Sequence, residues 1–334
     1  MEVAEVREGL FPFVAETLGS DARPINIIES DGHAGLTFLY DVELGSGTDS
    51  YVIKLPPKGV KRKGNTDVYR QAPLLRALHA AGLPVPDVPW AYDDNPWFEV
   101  PFIVMERLPG HTYFVWDPAP GLTRDPTIAR TYYEQCARTL ARVHEFDWRA
   151  HLADWEAPLD ISADIARWER VYRQAPEADW IRRVETMRQH LTDTLPEIEP
   201  VGLFHGDYQP GNCLYVDNQL TGIIDWELSG IGPQMLDVGW LSMVSDHNTW
   251  EPEWLPVGAP PAAELVAIYQ SETGRSVDTV PWFHAFSAYR LASITCLNVK
   301  LHRSGQRTDP IWEHNGRSLV PMCESAERCL SAYR

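Results

Sequence analysis

His205, Asp207, Asn212 and Asp225 crowd into one stretch, FHGDYQPGNCLYVDNQLTGIIDWE, that runs from Phe204 to Glu227. Cys213 to Val216 and Leu220 to Ile224 are apolar, β-prone runs, and the turn formers Asp217 and Asn218 lie between them, so a hairpin is expected. Asn212 then falls just before the first strand and Asp225 just after the second, both at the open end of the ladder. Asp207 lies in the loop that feeds the hairpin. Phosphoryl transfer uses such a set: an Asp orients the attacking hydroxyl and accepts its proton, while an Asn and a second Asp hold Mg²⁺ on the nucleotide phosphates. Mg²⁺ takes hard oxygens and keeps several waters, so two protein ligands suffice. Asp, Asn and Gly are also ordinary turn residues; the fixed offsets around a hairpin are what lift this stretch above a simple loop.

His-x-Asp-x-x-x-x-Asn is the spacing of the kinase catalytic loop, here with Gly206 where protein kinases carry Arg. His205-Gly206-Asp207 with Asn212, followed by Ile223-Ile224-Asp225-Trp226-Glu227, resembles the aminoglycoside phosphotransferase family of protein-kinase-like small-molecule kinases. The resemblance implies Asp207 as catalytic base, Asn212 and Asp225 as metal ligands, and ATP with Mg²⁺ as cofactors. His205 is expected to bond loop backbone, and Asp237 to brace the catalytic loop. Trp226-Glu227 replaces the Phe-Gly of protein kinases and no Ala-Pro-Glu follows, which favours a small hydroxyl acceptor over a protein.

Upstream, Ile25 to Glu29, Leu36 to Val42, Tyr51 to Leu55 and Pro101 to Arg107 read as strands, after a helix over residues 1–19 with Phe11, Val14 and Leu18 on one face. In Tyr51-Val52-Ile53-Lys54-Leu55 alternation puts Lys54 opposite Tyr51, Ile53 and Leu55. A lysine there could be a solvated edge charge, but its place after a glycine-bearing turn matches the kinase lysine that contacts the α and β phosphates. The resemblance extends this to Gly32 and Gly35 as a phosphate-covering turn, and to Glu106 to Leu108, with Met105 beside them, as the adenine-binding segment. Thr66 to Ala81 reads as a helix despite Pro73, and Gln71 stands where the family carries the glutamate that pairs with the lysine. Gln supplies no charge, so Lys54 is either tuned by another acid, such as Asp67, or less firmly held. This departure, with a Gly32-His33-Ala34-Gly35 turn that lacks the serine of the resembled family, keeps a second class open, a nucleotide-binding protein without turnover.

Beyond Gly110 the chain turns helical: Asp125-Pro126 opens a helix with Ile128, Tyr132, Cys136, Leu140 and Val143 at helical spacing. Further stripes run through Ile181 to Leu191, Leu236 to Val244, Phe286 to Lys300 and Leu319 to Leu330. The expected fold is therefore α+β, a two-lobed protein-kinase-like architecture. Residues 1–108 make a small, mainly antiparallel nucleotide-binding lobe, and residues 109–334 a larger, mainly helical lobe for catalysis and acceptor binding.

The whole chain limits its partners. Of 334 residues 44% are hydrophobic, enough for substantial cores, and the formal charge of −18 argues against nucleic acid or an anionic membrane. Five cysteines without a CxxC spacing indicate free thiols in a reducing compartment, and the N-terminus carries no signal-like run, so a cytoplasmic protein is expected. Residues 201–260 hold eight acids and no Lys or Arg, which would suit a polycationic acceptor. Arg290, Lys300, Arg303 and Arg307, with Trp226, Trp240, Trp250, Trp254 and Trp282, suit a partly apolar, anionic one better.

Overall fold

In the computed structural model residues 3–30, 36–116, 125–197 and 200–333 are described. In chain order the strands are β1 (Arg23–Glu29), β2 (Leu36–Leu44), β3 (Gly47–Leu55), β4 (Trp90–Tyr92), β5 (Phe102–Glu106), β6 (Val201–Phe204), β7 (Cys213–Val216), β8 (Gln219–Ile223) and β9 (Gly230–Pro233). The helices are α1 (Val3–Leu18), α2 (Gln71–Ala80), α3 (Pro126–His144), α4 (Trp148–Leu152), α5 (Ile161–Arg167), α6 (Glu169–Tyr172), α7 (Ala178–Asp193), α8 (Met235–Ser245), α9 (Ala262–Thr273), α10 (Val280–Arg303) and α11 (Ile311–Ala332). They separate into two compact units. The first takes the chain up to Gly110 together with Trp148–Trp155 and Thr221–Leu228, and the second takes the remainder.

The first unit is built on a five-stranded antiparallel sheet in the order β1-β2-β3-β5-β4. One face of β2 and β3 buries Phe38, Tyr40, Val42, Ile53 and Leu55, as period-2 alternation demands, and α1 covers them with Val6, Leu10, Phe13 and Val14. Phe11, expected on that buried stripe, is instead 41% exposed. The helix turns 100° per residue, so Leu10, Phe13 and Val14 complete one face and leave no arc for Phe11. Phe13 lies edge-on to Trp90 and Phe102 at centroid distances of 5.8 and 5.3 Å. The helix expected over residues 66–81 starts later: two 3₁₀ turns precede α2, and Pro73 falls in its first turn, where a missing N–H costs nothing.

The second unit is mainly helical, with α10 packed against both α8 and α11. Asp125 caps α3 through its carboxylate to the Thr127 N–H at 2.8 Å, with Pro126 at the first helical position. In β9, Gly230 and Gly232 lack the Cβ atoms that would meet the Phe204 ring at 2.8 and 3.0 Å, so that ring lies flat on the strand just before His205. No helix among the described residues is long and apolar enough to cross a membrane.

Candidate functional site

The loop from His205 to Asn212 belongs to the second unit and is built by local geometry first. β7 and β8 form a two-stranded sheet whose turn residues Asp217 and Asn218 adopt φ of +49° and +60°, the left-handed pair that a tight hairpin needs. Two side chains of α3 hold this turn: Tyr132 Oη donates to Asn218 Oδ1 at 2.8 Å, Gln135 Nε2 donates to Asn218 O at 2.8 Å, and Gln135 Oε1 accepts from Leu220 N at 2.8 Å. Upstream of β7, Gly206 sits at φ +91°, a conformation that a side chain would strain. Tyr208, fully buried, donates to the Cys136 carbonyl at 3.1 Å and pins the loop to α3.

Asp237 then fixes the loop from α8. Its Oδ2 accepts from the His205 N–H at 2.6 Å and its Oδ1 from the Gly206 N–H at 2.7 Å, and the side chain has no solvent exposure. His144 at the end of α3 stands 3.3 Å from Asp237 Oδ2 through Nε2, and 2.8 Å from the Tyr269 hydroxyl through Nδ1. Burial drives the His144 pKa below the usual histidine value, against the pull of Asp237. His144 was not anticipated from the sequence, although it continues the buried stripe of α3 four residues after Leu140. His205, fully buried, accepts from the Asp207 N–H at Nδ1, 3.3 Å away, and so bonds loop backbone as expected.

Asp207 is held by amides. Gln209 Nε2 donates to its Oδ1 at 2.8 Å and Asn212 Nδ2 to its Oδ2 at 3.0 Å, while the same Nδ2 reaches the Asp207 carbonyl at 2.8 Å. With its NH₂ turned to Asp207, Asn212 keeps its carbonyl oxygen as the free hard donor, which fits a Mg²⁺ ligand.

The first unit carries the other expected residues. Lys54 on β3 donates to Asp225 Oδ1 at 2.9 Å, with the lysine side chain 13% exposed. Burial works against the ammonium, but Asp225, by charge and hydrogen bond, and Glu227 by charge, outweigh it and raise the Lys54 pKa. The acid that compensates for Gln71 is thus Asp225, not Asp67, whose carboxylate accepts from Arg62 at 3.0 Å. Gln71 is buried at the first residue of α2. Asp225 has φ +63°, a non-glycine residue in the left-handed region, which places its carboxylate where an extended strand would not. Arg70 anchors the segment that follows Asp225: it donates to the Glu227 carbonyl at 3.3 Å and lies over the Trp155 ring at 5.0 Å.

In the expected adenine segment two of three backbone donors are already used, Glu106 N–H by the Asp87 carbonyl at 3.0 Å and Arg107 N–H by the Ser50 carbonyl at 3.1 Å. Among the described residues the Leu108 N–H has no backbone partner. Met105 is buried, paired with Val52 in the β3–β5 ladder. Gly32 and Gly35 lie outside the described residues.

Of the cations expected near the acceptor, Arg303 is paired with Glu313 and Glu177, and Lys300 is exposed. Arg290 alone of that group is buried, at 5% exposure. Trp226, Trp240, Trp250 and Trp282 are core residues, whereas Trp254 is half-buried and stacks on His314.

Among solved structures the fold is similar, over 97% of this chain and 98% of the other, to a candidate aminoglycoside phosphotransferase of Ralstonia eutropha, with a TM-score of 0.74 at 22% identity. It is also similar to the aminoglycoside phosphotransferase APH(4)-Ia in complex with ADP and hygromycin B, over 97% and 98% of the chains, with a TM-score of 0.60 at 13% identity. Among curated proteins, acyl-CoA dehydrogenase family member 10 of Mus musculus is 26% identical over 96% of this chain, and the acyl-CoA dehydrogenase IBR3 assigned in Arabidopsis thaliana is 27% identical over 86%. This chain spans only about a third of the length of those relatives, 31% and 38%. The model of the phosphotransferase enzyme family matches residues 33–276, and the chain therefore belongs to that family.

Proposed function

We propose that the protein transfers the γ-phosphoryl group of ATP to a hydroxyl of a small molecule. The observation that carries this reading is the Asp207 carboxylate, fixed by Gln209 and Asn212 on a loop that Asp237 clamps through two backbone N–H bonds. Asp207 orients the acceptor hydroxyl and takes up its proton as the oxygen attacks phosphorus. Asn212 and Asp225 are the residues that would hold Mg²⁺, which when bound neutralises charge on the β and γ phosphates. Lys54, kept protonated by Asp225 and Glu227, contacts the phosphates, and the Leu108 N–H is the donor available to adenine.

The acceptor is a metabolite hydroxyl, with a hydroxyacyl compound favoured over an aminoglycoside. The curated relatives carry acyl-CoA dehydrogenase names, and the one buried cation of α10 opposes a polycationic ligand.

A coupled ADP-release screen over aminoglycosides, macrolides, choline, sugars, hydroxy acids and hydroxyacyl thioesters tests this. Turnover is expected with a hydroxy acid or hydroxyacyl compound, and kanamycin-type compounds are expected to be poor acceptors. On the acceptor found, Asp207→Asn lowers turnover about 10²- to 10⁴-fold while Mg²⁺-ATP binding stays nearly intact, the usual contribution of a positioned base. Equal turnover by variant and parent removes Asp207 from this role. Nucleotide binding with no turnover across the panel would point to a binding protein without transferase activity.

A further inference from the structure

Arg290 on α10 is a buried guanidinium, and among the described residues no acid pairs with it. Its Nε and Nη1 are closed from solvent and have no hydrogen-bond partner, and only 5% of the residue remains exposed. Aromatic rings wall it in: its guanidinium carbon lies 5.8 Å from the Trp240 ring centre, 5.9 Å from Trp168 and 6.0 Å from Phe286. These contacts favour a cation but supply no acceptor for its N–H groups.

The acids of this unit that Arg290 feels are committed elsewhere. Asp164 accepts from Arg167 Nε and, at 3.3 Å, from Trp168 Nε1. Asp237 accepts from the His205 and Gly206 N–H groups, and Asp207 from Gln209 and Asn212. Burial pushes the Arg290 pKa down, opposed by the charge of Asp164. A guanidinium cannot shed its proton to escape an apolar site, and a buried charge with unmade hydrogen bonds is costly to keep. Groups left in that condition mark places where a ligand completes the set.

We propose that Arg290 binds a carboxylate of the phosphoryl acceptor, which makes the acceptor a short hydroxycarboxylate. The carboxylate pairs with the guanidinium nitrogens, the carbon chain lies against Trp168, Trp240 and Phe286, and the hydroxyl reaches Asp207. This assignment rests on the phosphotransferase reading for its hydroxyl but not for its anion. Arg290 packs on Trp240, three residues along α8 from the Asp237 that holds the His205 and Gly206 N–H groups, so the guanidinium lies about one helical turn from the loop that carries Asp207. Arginine suits the task, since its planar fork matches the two carboxylate oxygens.

The test uses the full chain with 2-, 3- and 4-hydroxybutanoate, the corresponding hydroxyhexanoates, and the diols that replace each carboxylate with a hydroxymethyl group. Binding is read from tryptophan fluorescence, to which Trp168 and Trp240 contribute, and turnover from ADP release with Mg²⁺-ATP. At least one hydroxycarboxylate is expected to bind about 10- to 100-fold more tightly than its diol, the difference that a hydrogen bond between charged groups makes. Arg290→Met should shrink that preference to about threefold or less, and Arg290→Lys, which keeps the charge but not the fork, should retain part of it. Circular dichroism checks that the variants fold; the preference of the wild-type protein for acid over diol stands as a test even if Arg290→Met does not. Diols that bind as well as their acids, an Arg290→Met variant that keeps the preference, or no response to any acid each overturn the proposal. Acids that bind without ADP release leave the Arg290 assignment standing and remove the phosphotransferase reading. Neutral alcohols phosphorylated as well as acids do the reverse.

Discussion

Replacing Asp237 with Asn keeps the shape of the side chain and removes one of its two acceptors. In the wild-type protein the two carboxylate oxygens take the His205 and Gly206 N–H groups at 2.6 and 2.7 Å, with no solvent to compensate. In Asp237→Asn one N–H faces the new NH₂ group and loses its partner, while the other keeps a neutral acceptor in place of a charged one. Hydrogen bonds to charged groups contribute about 1.5–3 kcal/mol and neutral ones about 1, so the variant loses about 2–4 kcal/mol of loop stability. At 1.36 kcal/mol per decade, the His205 and Gly206 amides should exchange roughly 30- to 1,000-fold faster, as measured by hydrogen exchange on a peptide spanning residues 203–208. Because His205 Nδ1 in turn holds the Asp207 N–H at 3.3 Å, turnover should fall about 10- to 100-fold, the scale of a misplaced reacting group, with nucleotide affinity little changed. If exchange at these two amides matches wild type in a folded Asp237→Asn protein, the bracing described here is not what orders the loop.

Lys54→Met removes a charged donor on the phosphates, worth about 1.5–3 kcal/mol, so Mg²⁺-ATP should bind about 10- to 150-fold more weakly by calorimetry; an unchanged Kd would exclude Lys54 from the nucleotide site. Acid sensitivity should come from two buried histidines. Burial, against the pull of Asp246, pushes the His284 pKa down to about 4, and His144 is lowered as well. Both are neutral in the fold and protonate near pH 6.5 once unfolded, so their contribution is complete above that pH and is lost as pH falls, for His284 until about 4. Lowering pH from 7 to 5.5 should cost about 1 kcal/mol at His284 in denaturant unfolding, with a further loss of the same sign at His144, and His284→Gln should flatten the slope by its share; a profile with no slope in this window would contradict the buried neutral state.

Much of the site was legible because local rules decide it. The hairpin followed from Asp217 and Asn218, which tolerate positive φ, and the placing of Lys54 on the strand face opposite Ile53 and Leu55 followed from alternation, since both depend on a few neighbouring residues. The loop spacing from His205 to Asn212 pointed to the phosphotransferase enzyme family, whose model matches residues 33–276, because phosphoryl transfer needs such functional groups whatever surrounds them. Tertiary structure alone decided which charges meet. Lys54 could have taken any of several acids, and it takes one 171 residues away because the left-handed backbone at Asp225 presents its carboxylate there. His144 met Asp237 only through the packing of α3 in the second unit, and the position of Phe11 on α1 depended on which arc of the helix the sheet covers. Arg290, Lys300 and Arg303 look alike in the sequence. Packing pairs Arg303, leaves Lys300 exposed and encloses Arg290, because burial and pairing are properties of the neighbours that the fold assembles and not of the residue itself.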